Sequence, residues 1–150
     1  MILYLAAPLS EARRACRIAE LLAAHGHDWC SRWHRDVVLS GATADPGDDE
    51  AERARILAMN LEDIAKADAL VVLLDRGTGR STYAEIGYAL ALDKPVVWVS
   101  GPFGYGRSLF DAHPLVARVV TDVIEPGSHA AMVREIALAL GACLGWRAAE

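Results

Sequence analysis

Apolar residues in this chain fall into short unbroken runs, separated by stretches where they recur every third or fourth position. That alternation predicts strands and helices in turn. The first run, 1–7, leads through Pro8 and Ser10 into 11–25, where Ala15, Ile18, Ala19 and Leu22 share one helical face. Gly26 is placed to close that helix, and 28–33 reads as a second short strand with Trp29 and Trp33 pointing to one face. The polar stretch 40–49, with Gly41, Pro46 and Gly47, reads as a loop, and 50–66 as a helix. The runs ALVVLL (69–74) and PVVWV (95–99) are uninterrupted, as in parallel strands covered on both faces. Between them, a loop over 77–81 feeds a helix over about 82–92. A glycine-rich loop over 100–107, a weak strand over 116–120 and a final helix over about 128–144 complete the order.

Parallel neighbours need helical crossovers, and these are right-handed, so the order implies a doubly wound α/β domain. The expected architecture is a mostly parallel five-stranded sheet in the order 2-1-3-4-5 with helices on both faces, flavodoxin- or Rossmann-like, as one domain over 1–150. Ligands bind such sheets beyond the carboxyl ends of the strands, where the winding direction switches. That rule places Ala6, Pro8 and Ser10, the stretch 75–85 and the stretch 100–105 around one crevice. No internal repeat, low-complexity tract or linker interrupts the pattern.

Composition narrows the function classes. With 150 residues, 53% of them hydrophobic, the chain can bury one core. A net charge of −5 and a pI near 5.5 argue against a surface that tracks a nucleic-acid backbone. No apolar run is long enough for a membrane span, and no basic leader precedes an apolar stretch, so a soluble cytoplasmic protein is expected. Cys16, Cys30 and Cys143 lack metal-type spacing and suit inert, partly buried thiols in a reducing compartment. The five histidines, at 25, 27, 34, 113 and 129, show no ligand spacing, so no metal is expected.

The segment 73–95, LLDRGTGRSTYAEIGYALALDKP, carries the most chemistry. A buried strand ends at Asp75. A turn with Gly77, Gly79, Arg80, Ser81 and Thr82 follows, and the spacing puts Glu85 in the first turn of the next helix. Glycines let backbone N–H groups approach an anion, and the helix N-terminus favours negative charge, including an ionised Glu85. A carboxylate held charged there suits a nucleophile and is a poor general acid. Equally, an acidic first-turn residue can do no more than complement the helix dipole; spacing alone favours that second reading.

The stretches LYLAAPLS, MNLEDIAKADALVVLLD and STYAEIGYALALDKPVV together resemble the nucleoside 2-deoxyribosyltransferase family, which includes 2'-deoxynucleoside 5'-monophosphate N-glycosidases. DWCSRW, after the first helix, suggests a separate bacterial branch of that superfamily. The resemblance implies that Glu85 attacks the anomeric carbon and expels the base, that Tyr4 orients it, and that no cofactor takes part. It also implies a 2'-deoxy sugar and a homodimer or larger homo-oligomer whose sites are completed by a neighbouring subunit. Two departures stand out. Gly79 and Asn60 occupy positions where the family's transferases carry aspartates that bind the nucleoside or move a proton to and from the base. Asn60 can hydrogen-bond a base or sugar but cannot donate a proton as a carboxylic acid does, which puts base exchange in doubt. Asp63 is either a substitute acid or, more simply, a solvated helix-face carboxylate.

Arg80 and Ser81 sit where a phosphate could meet the loop amides, with Ser10, Arg13 and Arg14 opening the first helix on the same side. Arg13 and Arg14 read as readily as a solvated face. Trp33 and Trp98 could flank a base, though core packing is the simpler reading. Ser108, Asp111 or His113 could reach across a subunit interface. Met132, Ile136, Leu140 and Leu144 form a stripe that either covers the sheet or joins that interface. The combined expectation is an N-glycosidase acting on a nucleoside or nucleoside 5'-monophosphate. Glu85, Tyr4 and Asn60 would be catalytic, and Ala6, Pro8, Ser10, Asp75, Gly77, Gly79, Arg80, Ser81 and Thr82 would bind substrate. The rivals are a base-exchanging transferase and a non-catalytic nucleotide sensor.

Overall fold

The computed structural model describes residues 1–40, 49–74, 80–100, 113–120 and 129–147. Five parallel strands, β1 (Ile2–Ala6), β2 (Asp28–Trp29), β3 (Ala69–Leu74), β4 (Val96–Ser100) and β5 (Val116–Val120), lie in the order 2-1-3-4-5. Helices α1 (Ala12–Ala24), α2 (Trp33–Ser40) and α5 (His129–Arg147) group on one face. Helices α3 (Glu50–Lys66) and α4 (Arg80–Ala91) pack together on the other. The sequence-predicted topology and every predicted strand and helix are present, with end shifts of a few residues except at β2. Because both faces are covered, Ala69 to Leu73 are fully buried, which is why that run shows no polar alternation.

Local signals account for the element ends. The stripe Ala12, Ala15, Ile18, Ala19 and Leu22 is buried on α1, and Gly26 closes the helix at φ +83°, a conformation only glycine adopts without strain. Asp49 caps α3 by accepting the Glu52 N–H at 3.0 Å, and at its other end Lys94 donates to the carbonyls of Ala65 and Ala67. Asp68 fixes the start of β3 beside β1: its carboxylate accepts the Ile2 N–H at 2.7 Å while its own N–H donates to the Ile2 carbonyl. Met132, Val133, Ile136 and Leu140 are buried, so the last helix covers the sheet along this stripe. The side chains of Cys143 and Leu144 lie outside the described residues.

The predicted second strand needs correction. Only Asp28 and Trp29 pair with β1, and Trp33 opens α2 rather than sharing a strand face with Trp29. Side chains take over where the ladder stops: Ser31 Oγ accepts the Leu5 N–H at 3.2 Å and Trp33 Nε1 donates to the Leu5 carbonyl at 2.7 Å. Both backbone groups of Leu5 are thus satisfied on the side where β2 no longer runs. Ser31 Oγ also meets His34 Nε2 at 3.0 Å, and His34 Nδ1 meets Cys16 Sγ at 3.2 Å. Ser31 Oγ keeps a donor proton and a second acceptor site beside the Leu5 N–H, and the thiol can donate or accept, so a neutral His34 ring fits this chain in either tautomer. Burial pushes His34 down to about 4, consistent with that neutral ring.

Candidate active site

Tyr4 lies in the middle of β1, paired with Leu70, and its ring is buried on the α3/α4 face of the sheet. Asn60 projects from α3 and Glu85 from α4. The three meet: Tyr4 Oη donates to Glu85 Oε1 at 2.6 Å, and Asn60 Nδ2 donates to the same oxygen at 3.3 Å. No hydrogen bond among the described residues reaches Glu85 Oε2, so both of these donors hold the same carboxylate oxygen. Asn60 Oδ1 is buried with no hydrogen-bond partner among the described residues.

The charge state of Glu85 departs from the sequence expectation. Helix α4 begins at Arg80, so Glu85 lies in its second turn, and no acidic residue occupies the first. The dipole field fades within one turn. Burial dominates instead and lifts the Glu85 carboxyl to about 7, with the Tyr4 hydrogen bond pulling the other way. The group is therefore balanced between its two forms near neutrality, instead of being held ionised by the helix dipole as the sequence predicts. Burial, reinforced by the neighbouring Glu85 and Asp63 charges, raises Tyr4 well above its ordinary value, so its hydroxyl stays a neutral donor.

Asp63 is neither a free acid nor a solvated carboxylate. It is buried, and Arg32 holds it through its backbone N–H at 3.1 Å and its Nε at 2.9 and 3.0 Å. The Arg32 guanidinium also pairs with Glu62 at 2.8 Å, and its fork against two carboxylates keeps it charged. Sequence reading passed over Arg32 and Ser31. The signal was the DWCSRW segment itself, where a charged residue sits between two residues that turn inward.

The remaining sequence-predicted positions are distributed around this centre. Ala6 ends β1 buried, Pro8 precedes the 3₁₀ turn Leu9–Glu11, and Ser10 is exposed within that turn. In the first turn of α4, Ser81 is exposed and Thr82 buried. None of these hydrogen-bonds Glu85, whose partners among the described residues are Tyr4 and Asn60. Asp75, Gly77 and Gly79 lie outside the described residues, as do the Arg80 side chain, the stretches 41–48 and 101–107, Ser108 and Asp111. Arg13 is exposed, while Arg14 pairs with Glu11 at 3.4 Å. Trp33 and Trp98 are core residues, the latter against Tyr83 with ring centroids 6.1 Å apart. His113 Nδ1 accepts the Leu115 N–H at 3.2 Å. Among the described residues no cluster of His, Cys, Asp or Glu is set to hold a metal, and no helix is long and apolar enough to cross a membrane.

Two solved structures share this architecture. A CMP N-glycosidase, BcmB, from Clostridium botulinum superposes with a TM-score of 0.63 at 12% identity, over 91% of this chain and 98% of that one. A 2-deoxyribosyltransferase from Bacillus psychrosaccharolyticus superposes with a TM-score of 0.60 at 21% identity, over 86% and 96%. No curated protein sequence matches the chain. The family profile for nucleoside 2-deoxyribosyltransferases matches residues 3–133 and so spans β1, α3 and α4 with the Tyr4, Asn60 and Glu85 constellation they carry. The chain therefore belongs to the nucleoside 2-deoxyribosyltransferase family.

Proposed function

We propose that this protein is an N-glycosidase that hydrolyses the base–sugar bond of a nucleoside or nucleoside 5'-monophosphate, with Glu85 as nucleophile. The observation that carries the reading is the convergence of Tyr4 and Asn60 on one oxygen of Glu85. Two donors fix the carboxylate and favour its ionised form, and Oε2 is free to attack. Attack forms a bond from Oε2 to C1' and breaks the bond from C1' to the base nitrogen. The electron pair leaves with the base, which takes up a proton. Water then adds to C1', releasing the sugar and restoring the carboxylate. Asn60 cannot take the proton that an incoming base must lose, a step that exchange requires and hydrolysis does not, which favours hydrolysis. The start of α4, with Arg80, Ser81 and Thr82, suits a 5'-phosphate because a helix N-terminus attracts anions. Asp75, Gly77 and Gly79, which precede α4 in the chain, and Ala6, Pro8 and Ser10, at and after the end of β1, are assigned to the same proposed subsite.

The test is incubation of the purified protein with ribo- and deoxyribonucleosides and their 5'-monophosphates, with and without added base, followed by chromatography. Free base appearing without an acceptor supports hydrolysis. Product only with an acceptor means a transferase, and tight binding without release means a sensor. A Glu85→Ala variant that releases base as fast as the parent protein would overturn the assignment of the nucleophile.

A further inference from the structure

We infer that residues 30–33 form a bracket that sets both hydrogen-bond donors on Glu85, with Arg32 as the positioning residue that reaches Asn60 through α3. The inference deepens the reading of Glu85 as nucleophile and rests on it for its bearing on catalysis.

Consecutive side chains of this segment turn to different elements. On the β1 side, the Cys30 N–H donates to the Leu3 carbonyl at 2.9 Å, and Ser31 and Trp33 hold the N–H and carbonyl of Leu5. Leu3 and Leu5 are the two neighbours of Tyr4, so the backbone is anchored on both sides of the hydroxyl-bearing residue. On the α3 side, Arg32 clasps the Asp63 carboxylate, and its guanidinium reaches the carbonyl of Met59 at 3.5 Å, next to Asn60. The Cys30 thiol adds a bond to the Asp63 carbonyl at 3.0 Å, and burial with the nearby Asp63 charge pushes that thiol up to about 11, so it remains a donor. One short segment therefore ties the strand that carries Tyr4 to the helix that carries Asn60.

The two donors differ in their tolerance of displacement. The Tyr4 bond is short, whereas the Asn60 bond at 3.3 Å is near the limit of useful geometry. A small outward drift of α3 breaks the second bond first. Arg32 stands against that drift: it is half exposed, lies away from Glu85, and spends its donors on α3.

The test is a ¹³C NMR titration of the Glu85 carboxyl carbon in the full chain, assigned by its loss in Glu85→Gln. Among the described residues the groups facing Glu85 are Tyr4 from β1 and Asn60 from α3, with Asp63 behind Tyr4, and Tyr4 is kept in every variant. Asn60→Ala removes a donor to the ionised form and is expected to raise the midpoint by roughly half a pH unit or more. The pair Arg32→Gln with Asp63→Asn removes one charge of each sign and leaves no buried unpaired carboxylate. It is expected to raise the midpoint in the same way, and the triple variant no further. An unmoved midpoint in Asn60→Ala or in the pair overturns the inference, as does a triple variant whose shift is the sum of the two. Should the pair fail to fold, Arg32→Lys keeps the charge without the planar fork. It is expected to give a smaller rise that vanishes in the Asn60→Ala background, and no rise overturns the inference. The titration needs no substrate, so an active Glu85→Ala protein would sink the nucleophile while leaving these midpoints to be judged separately.

Discussion

Glu85 is governed by two opposed influences, burial raising its midpoint and the Tyr4 hydrogen bond lowering it, and catalysis by the ionised form inherits the balance. With a midpoint of about 7, the rate at low substrate should climb with pH through neutrality on its acid limb. Tyr4→Phe removes the stronger donor. The acid limb should then move to higher pH, and kcat/KM at its plateau should fall roughly ten- to a hundredfold, the worth of a hydrogen bond to a charged group. A pH–rate profile for the two proteins decides this; an acid limb that stays put or moves down would contradict it. Asn60→Asp sets a second carboxyl beside the first, and like charges that close share a proton. Its acid limb should also rise, and a lower one would show that Asn60 is not beside Glu85 in solution. The candidate chemistry was legible at Glu85 and Tyr4 from the family resemblance. The charge state of Glu85 was not, because burial is set by three elements distant in sequence.

Among the elements, β3 and α3 announced themselves because each is long, regular and bounded by clear signals. ALVVLL contains no polar residue, and Asp49 and Lys66 mark the two ends of the helix. The strand expected over 28–33 ends at Trp29, a boundary the pattern leaves unmarked for a physical reason: a strand of two residues carries no periodicity, and aromatic residues at 29 and 33 suit a strand as well as a helix. What ends β2 is tertiary. Asp63 of α3 draws the Arg32 N–H out of the ladder, and Ser31 and Trp33 replace the missing strand partner of Leu5. Ser31→Ala should therefore cost about 1–3 kcal/mol, since it strands the buried Leu5 N–H and removes the partner of His34. Trp33→Phe should cost a comparable amount by orphaning the Leu5 carbonyl. Urea unfolding measures both, and a loss well under 1 kcal/mol for both would mean that water or a longer β2 takes over these groups.

At the scale of the whole molecule, two buried titratable groups shape stability against pH with opposite signs. His34 has a folded-state midpoint of about 4, below its ordinary value, so its contribution is lost as pH falls through that range. Glu85, raised to about 7, contributes stability at low pH that is lost as pH rises from its ordinary range through 7. Over the interval where both act, the slopes oppose each other. Glu85→Gln removes the falling arm, so its stability relative to the parent should increase between pH 4.5 and 7, by at most about 3 kcal/mol. Urea unfolding of both proteins across that range is the check, and a difference independent of pH would refute the burial argument. The sequence by itself determined the alternation of strands and helices, the strand order and the family, because periodicity, end signals and right-handed crossovers are local or follow from chain connectivity. Only the tertiary structure decided the length of β2, the pairing of Arg32 with Asp63 and the protonation balance of Glu85. Each of these depends on groups that the chain brings together from remote positions, where desolvation and hydrogen bonding outweigh any preference written into neighbouring residues.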